Sequence, residues 1–218
     1  MKTSEKRGKV GQRYLQDGEE WTGIVPILEG SAVSYAQRKL VDECEIGRKE
    51  EIALTGGFQE KINNNNPLSE DQLKDLKKKR DSNIVWLSEP WIYSEIHPYI
   101  HQANKNAGWN FDWHWSEACQ FTKYKLNQYY HWHEDQGAKP NEQGNIRKLS
   151  CSVQLCHPNE YEGGDLQFVT PHGEFTVDQI KPKGSICIFP SFVKHRVTPV
   201  TSGIRQSLVI WSLGQPYR

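Results

Sequence analysis

No stretch of this 218-residue chain approaches the roughly 20 consecutive apolar residues that a helical membrane span needs. The first residues, Met1, Lys2, Thr3, Ser4, Glu5, Lys6 and Arg7, lack the apolar core of an export signal, so a cytoplasmic location is expected. An excess of one charge is also missing. The 27 basic side chains are balanced by 27 acidic ones, which argues against a nucleic acid or an anionic membrane as a global partner. Cysteine is sparse and unpaired in pattern. Cys44, Cys119, Cys151, Cys156 and Cys187 are an odd number without a CxxC pair, which disfavours structural zinc and a disulfide framework. Four of these five sit in apolar, strand-like text and are expected to be small buried hydrophobes. No internal repeat is evident.

Eight tryptophans and nine tyrosines supply large, rigid surfaces that fill cores and line pockets. The chain length suits one domain. Residues 1–20 are polar and without sustained periodicity, and read as a loosely held arm. Ser31 can cap a helix running to about Ile46, and residues 55–57 and 63–67 are loop by composition. Ser69, Glu70, Asp71 and Gln72 resemble a capping box before a short helix that ends in Lys77, Lys78, Lys79 and Arg80. That basic run is expected to be a solvated helix end complementing the helix dipole. Pro90 opens a further helix carrying Ile92, Ile96, Ile100 and Ala103, which Pro98 must kink or restart and which closes near Gly108. From Phe111 the text turns to short β-like runs at 118–125, 129–135, 149–155, 165–169, 173–177, 185–190, 195–198 and 207–212, punctuated by Pro and Gly. The expected class is α+β, mainly β: a jelly roll over 111–218 with helical support over 21–110.

The chemistry concentrates in three places. His133 and Asp135 are two apart, and residues two apart on a strand share a face, so they form a ready-made corner for a metal ion. His195 follows a second strand-like run (residues 186–190). Two imidazoles and one carboxylate match the facial triad of non-haem Fe(II) oxygenases, which leaves positions open for a chelating cosubstrate and O2. Arg205 opens the apolar run that begins at Ser207. His131 would share a face with His133 but is not needed to complete the triad, so a structural or groove-facing role is expected for it. His97, His101, His114, His157 and His172 have no comparable partners and are assigned to surface or packing.

From Gln120 onward the sequence resembles the catalytic domain of the Fe(II)- and 2-oxoglutarate-dependent prolyl hydroxylases, most closely the bacterial and viral PKHD-type group. The resemblance rests on Tyr124, on residues 130–135, and on Arg147, Lys148, Leu149 and Ser150. It continues through residues 161–166, 182–185 and 189–191, and ends in 195–205 with Trp211. It implies a double-stranded β-helix with Fe(II) on His133, Asp135 and His195. It also implies that Arg205 binds the distal carboxylate of 2-oxoglutarate, that Tyr124 hydrogen-bonds the same group, and that Tyr130 lines the pocket near the substrate. A guanidinium fork matches a carboxylate in plane, which agrees with the Arg205 assignment. The activity implied is that of a procollagen-proline 4-dioxygenase: O2-dependent hydroxylation of a prolyl residue in a peptide or protein. That hydroxylation would be coupled to decarboxylation of 2-oxoglutarate to succinate and CO2, with ascorbate as reductant.

The competing assignments are specific. Arg205 could make a structural salt bridge, and Tyr124 could be core. Gly163 and Gly164 are expected to permit a tight strand connection, and residues 136–145 to form either a lid or an ordinary hairpin loop. Gln154 stands where relatives carry an aromatic or aliphatic wall residue, and Trp113, Trp115 and Trp132 could line a peptide groove. A same-fold hydroxylase of another residue or of a small molecule remains an alternative. A nucleobase demethylase would want a second arginine where Trp211 stands. A cupin-like binding or sensor module built on His131, His133 and His195 would leave Asp135 and Arg205 without employment.

Overall fold

The computed structural model describes three N-terminal segments (12–13, 22–25 and 52–53) and then residues 69–217 apart from 171–172. The expected helix over 31–46, the loops at 55–57 and 63–67, and Cys44 lie outside the described residues. In chain order the first strands are β1 (Gln12–Arg13), β2 (Thr22–Val25) and β3 (Ile52–Ala53). Helix α1 (Glu70–Lys79) follows, with acids in its first turn and lysines in its last, opposing the poles of its dipole. Next come β4 (Arg80–Asp81), β5 (Asn83–Leu87) and α2 (Pro90–Asn106). Pro90 sits in the first turn of α2, where its missing N–H has no partner to lose, and the helix runs through Pro98 without a restart.

The remaining strands are β6 (Trp115–Ser116), β7 (Cys119–Tyr124), β8 (Tyr129–His133), β9 (Ile146–Gln154), β10 (Tyr161–Gly163), β11 (Leu166–Thr170) and β12 (Gly173–Thr176). After them come β13 (Ile186–Pro190), β14 (His195–Val197), β15 (Val200–Gly203) and β16 (Arg205–Gly214). The larger sheet runs β1-β2-β13-β9-β16-β7-β5-β3, with β6 also on β16; the smaller runs β12-β11-β14-β8-β4. All pairings are antiparallel, and β10 pairs with β15 between the sheets' strands in sequence. The architecture is the expected mainly-β one, with two main sheets and the separate β10-β15 pair. The segment before residue 111 contributes strands as well as α1 and α2. It adds β1, β2, β3 and β5 to the larger sheet and β4 to the smaller, all strands of two to five residues.

Strand alternation gives the larger sheet two different faces. On one, Cys119 and Phe121, Leu149, Cys151 and Val153, Ile186 and Ile188, and Leu208 and Ile210 pack against Ile92, Ile96, Ile100 and Ala103 of α2. Each such fully buried aliphatic stabilises the fold by about 1.5–3 kcal/mol. The residues between them on β7, β9 and β16 are polar and equally buried: Gln120, Thr122, Ser150, Ser152, Gln154, Arg205 and Ser207. An interior of this kind costs desolvation unless every group is paired. The polar face turns toward a second cluster, in which Tyr124, Cys187 and Phe189 meet Leu166 and Phe168 of β11 and Val197 of β14. The site lies between the two sheets.

Candidate metal centre and cosubstrate pocket

His133 ends β8 and His195 begins β14, and the two are direct cross-strand partners. Their rings are therefore neighbours, 4.1 Å apart between centres. Asp135 reaches them by a different route from the one strand alternation suggested. β8 has already ended, and a loop positions the residue: the backbone N–H groups of Asp135 and Gln136 both donate to the Ser191 carbonyl at 2.9 Å. The outcome is convergence. His133 Nε2 lies 3.6 Å from Asp135 Oδ1 and His195 Nε2 lies 3.5 Å from Oδ2. One ligand atom from each of the three falls within 4.8 Å of the others.

The contacts behind these groups set their chemistry. His133 Nδ1 donates to the His131 carbonyl at 2.7 Å and His195 Nδ1 to the Val193 carbonyl at 2.8 Å. A carbonyl can only accept, so each Nδ1 carries a proton, and in the neutral ring each Nε2 presents a lone pair. Burial pushes the His195 pKa down to about 4, against the opposing pull of Asp135, and so keeps the imidazole neutral. Burial alone would raise the Asp135 carboxyl. His195, His133 and Arg147 outweigh it and hold the group ionised, below the usual carboxylate range. Ser150 donates to Asp135 Oδ2 at 2.7 Å and meets the Ser191 hydroxyl at 2.9 Å. Arg147 reaches the Asp135 carbonyl at 3.4 Å, is paired with Glu117, and lies 3.9 Å over the Trp211 ring. Two neutral nitrogens and one anionic oxygen converging from one side fit a divalent iron ion whose remaining positions stay open.

Arg205 begins β16 and pairs across the ladder with Tyr124. It is 2% exposed, its Nη1 donates to Ser207 Oγ at 3.3 Å, and its guanidinium sits 5.7 Å from the Tyr124 ring centre. Among the described residues no carboxylate pairs with it, which removes the structural salt bridge as its explanation there. Tyr124 is buried in the same cluster as Phe168 and Phe189, whose rings flank His195. The cation and the triad thus share one interior. Gln154, directly across from Ser207, is wholly buried; its Nε2 donates to Tyr161 OH at 3.0 Å while its Oε1 has no partner. A buried guanidinium without a counter-ion and an orphaned amide oxygen are what a polar ligand's far end would leave behind when absent. The tight connection expected at the two glycines is present, and it has a second purpose. A Cβ on Gly164 would stand 2.9 Å from Arg205 Cδ, so this glycine makes room for the arginine.

Tyr130 packs face to face on His133, with ring centres 3.4 Å apart and planes 12° from parallel. Burial raises its phenol to about 12, with Arg80 pulling the other way, so it is a neutral group. His131 is exposed and accepts the Trp132 N–H on Nδ1, outside the triad. His97 and His101 pack on Trp113, which lies against the hydrophobic core that includes α2. Trp132 lies under Arg196. The 136–145 loop is largely exposed and is shaped by Asn141 Oδ1, which accepts the Gln143 and Asn145 N–H groups at 3.0 and 2.9 Å.

Sequence reasoning missed several of these residues. Lys77, Lys78 and Lys79 are exposed as expected, but Arg80 is 6% exposed and its guanidinium lies over Tyr130. A basic run gave no local sign that its last member turns inward. Ser150 had a signal, because it alternates with Leu149 and Cys151 and so faces inward. Cys119, Cys151, Cys156 and Cys187 are free and buried, as expected.

The family model of the 2OG-Fe(II) oxygenase superfamily matches residues 119–213, a segment that contains His133, Asp135, His195 and Arg205. Residues 119–213, a little under half of the chain, match this family. A PKHD-type hydroxylase of Klebsiella pneumoniae is 37% identical to this chain over 96 residues, which cover 43% of this chain and 42% of that one. A PKHD-type hydroxylase of Janthinobacterium is 35% identical over 94 residues, covering 42% and 41%. The chain thus spans about two fifths of the length of these curated relatives. Among solved structures, a prolyl-4-hydroxylase of Pseudomonas putida superposes with a TM-score of 0.59 at 20% identity, over 89% of this chain and 94% of that one. A Trichoplax adhaerens prolyl hydroxylase in complex with a hypoxia inducible factor peptide fragment gives 0.55 at 16% identity, over 87% and 81%. These superpositions establish that the chain shares their fold. Among the described residues no helix is long and apolar enough to cross a membrane.

Proposed function

We propose that this chain is an Fe(II)- and 2-oxoglutarate-dependent dioxygenase that hydroxylates a prolyl residue in a peptide or protein. The observation that carries the reading is the pairing of a three-residue ligand set with a buried guanidinium that has no counter-ion among the described residues. His133, Asp135 and His195 would hold the iron. With 2-oxoglutarate and O2 bound, the metal supplies oxidative decarboxylation and the power to hydroxylate an unactivated C–H bond. The side chains supply geometry. The two Nδ1–H bonds fix the imidazole tautomers, Ser150 fixes one carboxylate oxygen, and Arg205 offers a planar fork to a distal carboxylate. Tyr124, buried beside Arg205, is assigned to the same carboxylate, and Tyr130 to the pocket wall.

The prolyl substrate is supported by the names of the relatives and structural neighbours and by the peptide held by one of them. The decisive assay incubates the chain with Fe(II), 2-oxoglutarate, ascorbate and a library of proline-containing peptides. Succinate release together with a mass gain of one oxygen atom, mapped to proline, is expected. Oxygen incorporation at another residue type, or none above a His133→Ala control, would refute the substrate assignment. Omitting ascorbate tests the reductant, since turnover should decline over successive cycles. Cytoplasmic action is part of the same proposal and is tested by fractionating the cells that express the chain.

A further inference from the structure

Arg80 lies before the matched domain, yet it sits inside the protein against the metal site. Three groups stack in a row. The Arg80 guanidinium carbon is 4.5 Å from the centre of the Tyr130 ring, and the opposite contact of that ring is the His133 imidazole at 3.4 Å. The guanidinium is fixed at its edges. Nε donates to Ser82 Oγ at 2.8 Å and Nη2 to Gln120 Oε1 at 2.5 Å, which ties it to the inner face of the larger sheet. The backbones of Arg80 and Tyr130 are also paired, as β4 on β8.

Packing alone does not account for a cation in this place. Arg80 is 6% exposed, and its hydrogen-bond partners among the described residues are neutral. Burying a charge among neutral groups is costly, and an aliphatic side chain of the same length would fill the space without that cost. What the guanidinium adds is rigidity in a particular plane. Its fork is held by two acceptors while its face attracts the electron-rich face of Tyr130.

The two histidine ligands are supported differently. Phe189 and Phe168, both within the matched domain, pack at 4.7 and 5.8 Å from the ring of His195. His133 is held in plane by its Nδ1 bond to the His131 carbonyl, and its face is covered by Tyr130. Without that cover the imidazole can swing about the Nδ1 bond, and its Nε2 lone pair leaves the point where Asp135 and His195 converge.

We propose that Arg80 is a positioning residue of the metal centre, clamping Tyr130 against His133 so that Nε2 is aimed before the metal arrives. The inference rests on the Fe(II) reading above, and it makes the segment ahead of residue 119 a working part of the site rather than a buttress. The neighbouring lysines take no part.

The test is an anaerobic Co(II) titration of the whole chain, read by ligand-field absorption. Arg80→Met keeps the length and removes both charge and fork. It should weaken Co(II) binding by about tenfold or more, within the range seen when outer-sphere support of a ligand is lost, and should alter the visible band. Arg80→Lys, which restores charge without the planar fork, should recover part of the loss. Tyr130→Leu removes the middle layer and should cost a similar factor, and the double variant should cost no more than either single one. Ile84→Val, at a buried position on β5, serves as a stability control and should lower Tm without moving the cobalt affinity. Wild-type affinity and spectrum in Arg80→Met, fully additive losses in the double variant, or an equal cobalt loss in Ile84→Val would each overturn the clamp. A wild-type chain that bound no cobalt would instead overturn the metal-site reading itself.

Discussion

Replacing Arg205 with methionine separates a ligand-binding cation from a structural one by the sign of its effect on the unliganded protein. In the free chain Arg205 is 2% exposed, touches Ser207 Oγ and the Tyr124 ring, and pairs with no carboxylate among the described residues. Its burial is therefore a cost that the free protein carries, and removing the charge should leave stability unchanged or raise it by about 1–4 kcal/mol, as when buried ionic groups give way to well-packed apolar ones. A structural salt bridge would behave oppositely, because breaking it strands a buried charge and costs about 3–5 kcal/mol. Binding should move the other way. Without the fork, the distal carboxylate of 2-oxoglutarate is buried unpaired, and about 3–5 kcal/mol of lost binding corresponds to roughly two to three and a half orders of magnitude in affinity. Urea unfolding of the metal-free chain gives the first quantity, and calorimetric titration of 2-oxoglutarate into Mn(II)-loaded protein gives the second. Pyruvate, which has the same chelating end and no distal carboxylate, should bind both proteins alike. Destabilisation of the free chain by several kcal/mol, or an unchanged preference for 2-oxoglutarate over pyruvate, would sink the assignment of Arg205.

Four further outcomes are expected. His133→Ala and Asp135→Ala should each abolish Fe(II)-dependent succinate release, measured by coupled assay. Ser150→Ala, which removes the 2.7 Å bond to Asp135 Oδ2, should weaken Mn(II) binding by about 10–100-fold in a calorimetric titration while leaving the fold intact by circular dichroism. Gly164→Ala combines a backbone at φ +61 with a Cβ placed 2.9 Å from Arg205 Cδ and 3.0 Å from Val200 Cγ2, so it should lower Tm and weaken 2-oxoglutarate more than pyruvate. For the metal-free chain, the His195 pKa falls from an unfolded value near 6.5 to about 4, so the unfolded state binds the extra proton over that interval. Its contribution, about 3 kcal/mol, is complete above pH 6.5 and lost as pH falls to 4. Urea midpoints across this range should show it, and a His195→Gln chain should show a flatter profile.

How much of this was legible before the structure depends on the distance along the chain over which each signal acts. Helices α1 and α2 were readable because their punctuation is local: acids and lysines at the ends of one, Pro90 and four apolar residues on one face of the other. The main strands were readable for the same reason, although β9 and β16 run further than their apolar cores suggested, from Ile146 and to Gly214. The triad was legible because His133 and Asp135 are two apart in sequence and His195 carries recognisable surroundings. The short strands β2 to β5 were not, since two to five residues on a sheet edge take their conformation from a partner far along the chain.

The buried polar face of the larger sheet shows where sequence reading can be pushed further. In β7, β9 and β16 the apolar residues alternate with Gln120, Thr122, Ser150, Ser152, Gln154, Arg205 and Ser207, and a polar set of this kind ordinarily marks a solvent-facing surface. Here β8, β11 and β14 of the second sheet cover that face, so the same alternation marks a lined interior. The two cases differ in cost rather than in pattern. A solvated serine needs no protein partner, whereas these must find one, and they do so in one another and in the site: Ser150 in Asp135, Gln120 in Arg80, Gln154 in Tyr161. The groups left over, Arg205 without an anion among the described residues and Gln154 Oε1 without a donor, define the ligand's chemistry by subtraction. On the proposed reading it would bring negative charge to one end of the interior while its other end met the iron, as a 2-oxo dicarboxylate would.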